Sequence, residues 1–362
     1  MKKVRVRLTD ISYEIHIGAG ILGQVGCQLK ESGFVSRVVI ITNPIVKELY
    51  GDALEQRLAK EGFKVTSLQV PDGEEYKSLE MAGRLYQGLS DAYAERSTPV
   101  LALGGGVIGD LAGFVAATYQ RGVPLVHLPT TLLAQVDSSI GGKVAVDHGQ
   151  IKNKIGVFYQ PRLVIADVST LKTLPQREFA SGMAEVIKSA VIGGEDFFRY
   201  IEENLEKIKS WDEAALEEIV FRSARVKVSI VEKDEKDLGL RNVLNYGHTL
   251  GHAIESASDF RIKHGEAVAI GILAAARISN KMGIFDRDGI VRLESIIARA
   301  GLPTKMPPLE MGKIIQAMKH DKKIREGRLR FVLPRAIGNV FVTDEVNLSL
   351  VEEVLGEMRE TA

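Results

Sequence analysis

Short apolar runs alternate with amphipathic segments through the first half of the chain. The β-rich runs lie at residues 37–42, 64–70, 99–103, 125–128 and 163–166, of which 37–42 is continuously apolar, and helical periodicity occurs at 45–60 and 79–93. Continuous apolar runs bounded by turn signals are typical of strands that are buried on both faces. Strands that alternate with helices at this spacing predict a mainly parallel, Rossmann-like sheet with right-handed crossovers.

The pattern changes near Leu174-Pro175-Gln176. From Arg177 onward most segments have helical periodicity, and residues 329–333 form the main β-rich exception. We therefore expect an α/β domain at residues 1–175 and a mainly α-helical domain at residues 176–362. Since no low-complexity linker separates them, we expect the two domains to pack closely, with the active site in the interdomain cleft.

Charge and composition narrow the class of protein. The 362 residues include 47 basic and 47 acidic side chains, which argues against nucleic acid or an anionic membrane as the main partner. No apolar stretch approaches transmembrane length, and residues 1–8 alternate like a strand and lack the apolar region of a signal peptide. Cys27 is the single cysteine, so no internal disulfide can form. We expect a cytoplasmic enzyme.

Three of the seven histidines fall in one short stretch of the second half, His248, His252 and His264. The first two are four residues apart, so a helix places them on one face. Imidazole is the commonest metal ligand and the usual proton shuttle near neutral pH, so the cluster indicates a metal or catalytic site rather than packing. With Glu185, a His/His/Glu set with an open position matches a catalytic zinc site. The residues alone leave open which three of these four side chains bind the metal.

A glycine-rich turn follows the run at 99–103. Gly104, Gly106 and Gly109 satisfy G-x-G-x-x-G and precede an apolar helical segment at 111–117. Such a turn lets the backbone approach a pyrophosphate at a helix N-terminus. The acidic residue expected about 20 positions later is missing, which argues against a standard dinucleotide fingerprint. Asn43, after the run at 37–42, could reach a ribose hydroxyl or cap the next helix.

Several cations stand in apolar or glycine-rich surroundings. They are Lys143, Lys152, Lys188, Lys227 and Arg241. An unpaired buried charge is costly, so such residues need an anionic partner. A small substrate that carries phosphate and carboxylate would provide one.

Six segments taken together are more specific than any single motif. They are Pro71-Asp-Gly-Glu-Glu-Tyr-Lys77, Gly104-Gly-Gly-Val-Ile-Gly-Asp110, Leu128-Pro-Thr-Thr131, Asp137-Ser-Ser-Ile-Gly-Gly-Lys143, Ala184-Glu-Val-Ile-Lys188 and Asn245-Tyr-Gly-His-Thr-Leu-Gly-His252. In this order the chain resembles the 3-dehydroquinate synthase family of sugar-phosphate cyclases. The resemblance implies an NAD-binding α/β domain, a helical metal-binding domain, zinc or cobalt, and a homodimer.

The resemblance also implies residue roles. It places the metal on Glu185, His248 and His264 and leaves His252 to the substrate or to support of the metal ligands. It places NAD along Asp72, Gly73, Glu74, Glu75, Tyr76, Lys77, Gly106, Val107, Ile108, Gly109, Asp110, Thr130, Thr131, Lys143, Lys152, Thr170, Leu171, Lys172 and Thr173, in addition to Asn43. It places the substrate on Asp137, Lys143, Lys188, Lys227, Arg241, Asn245, His252 and one of Lys322 or Lys323, with Arg121 lent across the dimer interface.

The reaction that the resemblance implies starts from 3-deoxy-D-arabino-heptulosonate 7-phosphate, a phosphorylated sugar acid. Transient oxidation by NAD, β-elimination of phosphate, re-reduction, ring opening and an intramolecular aldol closure would give 3-dehydroquinate, an intermediate of the shikimate pathway. Three alternatives are a sister sugar-phosphate cyclase, a metal-dependent polyol dehydrogenase and a non-catalytic regulator that binds NAD or metal. The cations argue against the last two, because neither a neutral polyol nor a non-catalytic site needs them.

Overall fold

The computed structural model describes residues 1–149, 151–320, 324–325 and 328–360. The described chain packs into two compact units, Met1–Leu174 with Leu216–Val228, and Pro175–Ala215 with Ser229–Ala362. Lys227 thus belongs to the first unit, although a single boundary at residue 175 assigns it to the second domain. That boundary stays a prediction.

The described part of the first unit is built on seven strands, a separate hairpin, the five helices α1 to α5 and the middle of a sixth helix, residues 216–228. Its elements are β1 (Lys2–Arg7), β2 (Ser12–Gly18), α1 (Val25–Glu31), β3 (Arg37–Thr42), α2 (Pro44–Val46), α3 (Asp52–Lys60), β4 (Lys64–Gln69), α4 (Leu79–Asp91), β5 (Val100–Gly104), α5 (Gly106–Thr118), β6 (Leu125–Pro129), β7 (Lys143–His148), β8 (Ile151–Phe158) and β9 (Leu163–Asp167). The sheet order is β1-β2-β9-β6-β5-β3-β4. Every neighbouring pair is parallel except β1 with β2. The predicted mainly parallel sheet is confirmed.

Both faces of this sheet are covered, which explains the continuous apolar runs. On β3, Val39 and Ile41 pack with the buried side chains of α4 and α5, while Val38 and Ile40 pack with those of α1 and α3. The chain goes from β3 to β4 in one direction and then crosses to β5 on the other side of β3. The carboxyl ends of β3 and β5 therefore flank a topological switch point, where open α/β sheets bind ligands.

The hairpin of β7 and β8 was not anticipated from the sequence. Its register pairs Lys143 with Phe158 and Val146 with Ile155. Lysines and Asn153 interrupt the apolar pattern of β8, so no strand period is visible there. β2 was missed as well; it lies between β1 and β9 and joins the antiparallel edge strand to the parallel part of the sheet.

The second unit is mainly helical, as predicted. Its elements are α6 (Gln176–Gly193), α7 (Glu195–Lys209), the ends of α8 (Glu213–Val231), α9 (His248–Ala257), α10 (His264–Lys281), α11 (Arg287–Arg299), α12 (Met311–His320), β10 (Ile324–Arg325), β11 (Arg328–Leu329), β12 (Phe331–Ala336), β13 (Asn339–Thr343) and α13 (Leu348–Glu357). The predicted strand at 329–333 corresponds to β12, which pairs with the unanticipated β13. Among the described helices of the chain, none is both long and apolar enough to cross a membrane.

Glycines let α6, α9 and α10 approach one another at backbone distance. A Cβ on Gly265 of α10 would lie 2.3 Å from the Ser181 carbonyl oxygen of α6. A Cβ on Gly271 of α10 would lie 2.0 Å from the carbonyl oxygen of Gly247, which precedes α9. Only residues without a side chain permit these contacts, so the three helices are held in one arrangement.

Gly265→Ala tests this packing. The added methyl group would meet backbone atoms that cannot rotate away, and we expect a loss of about 1–3 kcal/mol in the free energy of unfolding. Gly356→Ala on α13 is the matched control, because its Cβ would enter open space; it should be neutral or stabilise by up to about 1 kcal/mol. Denaturant unfolding of both variants measures the difference. Equal stabilities would show that the helix contact is not tight.

His127 on β6 makes the stability of the protein depend on pH. The residue is 4% exposed, and burial lowers the pKa of its imidazole to about 4. The unfolded chain takes up this proton near pH 6.5, whereas the folded chain resists it, so stability falls as the pH drops from 6.5 towards 4.

We expect His127→Gln to remove this contribution. Between pH 7 and pH 5 the wild-type protein should lose about 2 kcal/mol more of its free energy of unfolding than the variant. Urea unfolding of both proteins at the two pH values measures the difference. Parallel losses in the two proteins would contradict a neutral buried imidazole.

Candidate active site

Glu185, His248 and His264 meet in the second unit. His248 and His264 are the first residues of α9 and α10, and Glu185 lies in the middle of α6. The Nε2 atoms of both histidines lie 3.3 Å from Glu185 Oε1. One ligand atom from each of the three residues lies within 4.8 Å of the other two. Tight packing of the three helices thus brings together side chains that are 79 positions apart in sequence.

These distances suit a small divalent cation. Two ligand atoms that lie about 2.0–2.1 Å from a tetrahedral zinc ion are about 3.3–3.4 Å apart. Glu185 is 1% exposed; its Oε2 is paired with Lys188 Nζ at 2.5 Å, while its Oε1 faces both histidines. The Oε1 atom is therefore the oxygen available to a metal. The three residues therefore fit a metal ion, with positions left open for other ligands.

The electrostatics of Glu185 and His248 favour a cation at the same point, whereas His264 has to lose a proton before it can bind one. Burial opposes ionisation of Glu185, but Lys188 and His248 outweigh it and hold the pKa of the carboxyl well below its usual range. Burial lowers the pKa of His248, which keeps the imidazole neutral as a ligand must be. Burial opposes charge on His264 too, but hydrogen bonds to Glu185 and Glu255 raise its pKa to about 9.

His252 lies beside this group and not within it. Its ring centroid is 5.3 Å from that of His248 and 5.8 Å from that of His264, and the residue is exposed. The four-residue spacing does place His248 and His252 on one face of α9. The group with ligand distances is nevertheless Glu185, His248 and His264.

Arg241 and Asn245 lie in the 3-10 turn Leu240–Asn245 that leads into α9. Arg241 is 3% exposed, and its Nη1 donates to the Glu235 carbonyl oxygen at 2.7 Å. The Asp234 carboxylate accepts the backbone N–H groups of Leu238, Gly239 and Arg241, each within 2.9 Å. Asp234 closes the loop that fixes Arg241, and sequence reasoning missed it because a single aspartate before a turn is a common pattern.

In the first unit the glycine-rich turn joins β5 to α5. The helix begins at Gly106, and no described side chain caps its first N–H groups. A Cβ on Gly105 would lie 3.0 Å from Thr131, and one on Gly106 3.2 Å from Ser138 Oγ. Free N–H groups at a helix N-terminus beside the sheet's switch point suit a pyrophosphate.

Lys77 and Asp110 form a buried ion pair beside this turn. Lys77 is 4% exposed, and its Nζ lies 2.8 Å from Asp110 Oδ2 and also donates to Asn153 Oδ1. Burial opposes the charge, yet Asp110 and Glu74 outweigh it and raise the pKa of Lys77. Asn153 was missed by sequence reasoning; its left-handed backbone, φ 53°, is the signal that only a structure provides.

Two further sets of predicted residues have defined positions. Asn43 caps α2 by accepting the Val46 N–H and donates to Asp72 at 2.8 Å, which is the capping alternative. The threonines after β6 and β9 are linked by buried Gln135, whose Nε2 donates to the carbonyl oxygens of Pro129 and Asp167 and to Thr170 Oγ1.

Lys227 pairs with Asp137 within the first unit. Its Nζ lies 3.0 Å from Asp137 Oδ1 and donates to the Asp137 carbonyl oxygen at 2.8 Å. Lys227 is 7% exposed. Helix α8 brings this lysine to the loop that follows β6, so the interaction could not be read from sequence spacing.

Two of the lysines inferred to be buried are not. Lys143 is exposed and Lys152 is half-buried. Side chains alternate along β7, so Val144 is buried at 3% exposure and Lys143 points outward. The neighbouring glycines do not bury the lysine. Arg121 is exposed as well, with a left-handed backbone. Lys322 and Lys323 lie outside the described residues.

Comparison with known proteins places the chain in a family. Residues 67–181 match the family described as 3-dehydroquinate synthase N-terminal, and residues 182–324 match 3-dehydroquinate synthase C-terminal. The curated 3-dehydroquinate synthase of Dehalococcoides mccartyi strain CBDB1 is 51% identical over 99% of this chain and 100% of its own length. That of Desulforamulus reducens is 47% identical, with the same coverage of both chains.

Solved structures agree in fold. A 2-deoxy-scyllo-inosose synthase complexed with carbaglucose-6-phosphate, NAD⁺ and Co²⁺ has a TM-score of 0.90 at 28% identity, over 99% of this chain and 100% of that chain. The 2-epi-5-epi-valiolone synthase of Streptomyces hygroscopicus, with NAD⁺ and Zn²⁺ bound, also has a TM-score of 0.90, at 25% identity over 97% of this chain and 98% of its own. A glycerol dehydrogenase of Schizosaccharomyces pombe, at 17% identity and a TM-score of 0.68 over 98% of this chain and 91% of its own, shares the fold alone. The chain belongs to the 3-dehydroquinate synthase family.

Proposed function

We propose that the protein converts 3-deoxy-D-arabino-heptulosonate 7-phosphate to 3-dehydroquinate and inorganic phosphate. The observation that carries the proposal is the meeting of Glu185, His248 and His264 at ligand distances, in a chain whose whole length matches curated 3-dehydroquinate synthases. The reaction is a lyase reaction in which phosphate is eliminated and the carbon skeleton closes to a ring. It belongs to the biosynthesis of chorismate and the aromatic amino acids.

One divalent metal, zinc or cobalt, is held by Glu185, His248 and His264 in this proposal. Cobalt and zinc accept the same nitrogen and oxygen ligands, and the cyclases of similar structure contain one or the other. A bound ion of this kind supplies Lewis acidity toward hydroxyl oxygens. Because Glu185 and His248 are buried, water has little access to their ligand atoms and competes less with them for the metal.

NAD is held in the first unit, at the carboxyl ends of β3 and β5. The N–H groups of Gly106 and Val107 would donate to its pyrophosphate, and the Lys77–Asp110 pair holds the start of α5 in place. The cofactor supplies a reversible hydride acceptor that is regenerated in each turnover. Thr130, Thr131 and the turn Val168–Thr173 would line the rest of the NAD site. Gln135 helps to fix this turn, because its Nε2 donates to the Asp167 carbonyl oxygen and to Thr170 Oγ1.

In this proposal the substrate is bound by charged and polar side chains. Lys188, Arg241 and Asn245 donate to its hydroxyls and anionic groups. Lys143 and Lys227 donate in the same way, while the Asp137 carboxylate accepts from a hydroxyl. Ammonium and guanidinium groups recognise phosphate and carboxylate by charge-assisted hydrogen bonds. His252, exposed beside the metal ligands, holds or moves a proton at its imidazole.

We infer a cytoplasmic homodimer in which Arg121 serves the partner's substrate. Gln120 and Arg121 are consecutive non-glycine residues with left-handed backbones, φ 49° and 65°. Such a conformation costs of order 1–3 kcal/mol per residue and is retained mainly where it aims a side chain for function. The exposed apolar side chains Ile151, Val157 and Phe158 of β8 give a second subunit a surface to cover.

Turnover tests the reaction. Purified protein is incubated with the heptulosonate phosphate and NAD⁺, with and without a chelator, while inorganic phosphate and the absorbance of NADH are followed. We expect release of phosphate without accumulation of NADH, because the hydride returns within each cycle, and we expect the chelator to abolish it. Accumulation of NADH in step with substrate loss would instead indicate a polyol dehydrogenase.

The same assay separates the sister cyclases. The similarity of fold to 2-deoxy-scyllo-inosose synthase favours them as the second candidate. Release of phosphate from glucose 6-phosphate, with none from the heptulosonate phosphate, would identify such a cyclase. No phosphate from either substrate would favour a non-catalytic regulator.

The metal assignment is tested by a pair of histidine variants. His264→Ala removes a proposed ligand and should lower bound metal after dialysis by more than tenfold, and turnover with it. His252→Ala should lower turnover at least tenfold while bound metal stays near one ion per chain, because its ring lies outside the ligand group. Elemental analysis and the phosphate assay give the two readouts. Loss of metal from the His252 variant would restore a three-histidine site.

A further inference from the structure

We propose that Glu255 is a positioning residue for the metal, holding the His264 ring with Nε2 turned toward the site. The inference depends on the proposed metal set of Glu185, His248 and His264. It adds a fourth residue, one that acts on the metal only through the His264 imidazole.

The geometry places His264 between two carboxylates. Glu255 Oε2 lies 3.4 Å from Nδ1 of the ring, and Glu185 Oε1 lies 3.3 Å from Nε2 on the opposite side. An imidazole that donates its Nδ1 proton to an acceptor keeps the Nε2 lone pair for a metal. Since Glu185 approaches Nε2, the ligand atom and the orienting contact lie on opposite ends of the same ring.

Helix α9 and the loop that follows it fix the contact between Glu255 and His264. Glu255 lies on α9, seven residues after His248, so the two side chains share one face of the helix. The Glu255 carbonyl oxygen accepts the Phe260 N–H at 3.0 Å and Ser258 Oγ at 2.7 Å, which folds the following loop back on its own start. That loop leads directly to His264, so the distance between Glu255 and His264 is set by a short, closed segment.

His248 has an equivalent arrangement with a different acceptor. Its Nδ1 lies 3.1 Å from the Tyr246 carbonyl oxygen, while its Nε2 faces Glu185. Histidines that bind metals usually donate the second ring N–H to a carbonyl or a carboxylate. The parallel between the two histidines is the reason to assign Glu255 an orienting role. A carboxylate also makes the imidazole a stronger electron donor than a carbonyl does.

Burial separates Glu255 from the ordinary surface acids of α9. It is 6% exposed, and a buried carboxylate is costly unless other groups compensate it. A bland explanation is that Glu255 stabilises the helix pair without regard to a metal. The two explanations predict different effects of a neutral replacement of equal size: an orienting role predicts weaker metal binding, and a structural role predicts lower stability without a metal.

Glu255→Gln is the test, because the amide keeps the size and an acceptor oxygen but removes the charge. The full-length protein is stripped of metal with a chelator and titrated with Co²⁺, whose visible absorption reports the ligand geometry. We expect the dissociation constant for Co²⁺ to rise about 10–100-fold, with a changed absorption spectrum. The thermal midpoint of the metal-free variant should stay close to that of the metal-free wild type. Glu255→Asp keeps the charge at a shorter reach, should also weaken binding, and serves if the glutamine variant fails to fold.

Glu203→Gln on α7 is the matched control, since it makes the same substitution at an exposed position and should leave Co²⁺ binding unchanged. Wild-type affinity and spectrum in a folded Glu255 variant would overturn the inference while leaving the metal set intact. A lower midpoint of the metal-free variant with unchanged affinity would likewise overturn it, in favour of a purely structural role. If the wild-type chain itself binds no Co²⁺, the proposed metal set fails, and the inference fails with it.

Discussion

The site in the second unit depends on backbone contact between α6, α9 and α10. Gly265 against Ser181, and Gly271 against Gly247, bring the helix axes closer than any side chain would allow. His248 and His264 each begin a helix, and Glu185 is one turn beyond Ser181 on α6. A shift of one helix would change the Nε2–Oε1 distances of 3.3 Å that suit one small ion. Helix packing and the geometry of the metal ligands thus depend on the same backbone contacts.

The first unit solves a different problem, since a dinucleotide needs donors rather than ligands. The order in which the chain adds parallel strands reverses between β3 and β5, and α5 starts at that point with uncapped N–H groups. Glycine is required there for close approach and not for an unusual backbone, because the turn at Gly105 has φ −78°. Through Lys77, the start of α5 at Asp110 is tied to Asn153 of β8. The N-terminal end of α5 is therefore held in place and can present its N–H groups to a ligand.

Much of this arrangement could be predicted from the sequence, for a physical reason. Parallel strands buried on both faces leave apolar runs, and β3, β5, β6 and β9 were identified in this way close to their observed bounds. The edge strand β4 was identified as well, although it is not buried. The histidine spacing was informative because a helix has a fixed period. The hairpin of β7 and β8, the joining of residues 216–228 to the first unit, and Asp234, Asn153 and Glu255 were not predictable. The joining of residues 216–228 depends on contacts between distant segments, and Asn153 on a backbone angle. Asp234, Glu255 and the hairpin make local contacts, but a single acid near a turn and a strand interrupted by lysines have no distinctive pattern.

The lysines show where an argument from burial alone goes wrong. A buried cation does need an anion, and the sequence analysis assigned that role to the substrate. In the structure the protein provides it: Lys77 pairs with Asp110, Lys188 with Glu185 and Lys227 with Asp137. With 47 basic and 47 acidic residues, the chain has no net charge to draw in an anion from a distance either. Recognition of a phosphorylated sugar acid therefore depends on how the ammonium groups of the paired lysines are oriented, because each can still donate protons to a second acceptor. The carboxylate partners set that direction, so under the proposed function Asp137 and Glu185 would affect anion binding although they carry the same sign of charge as the substrate.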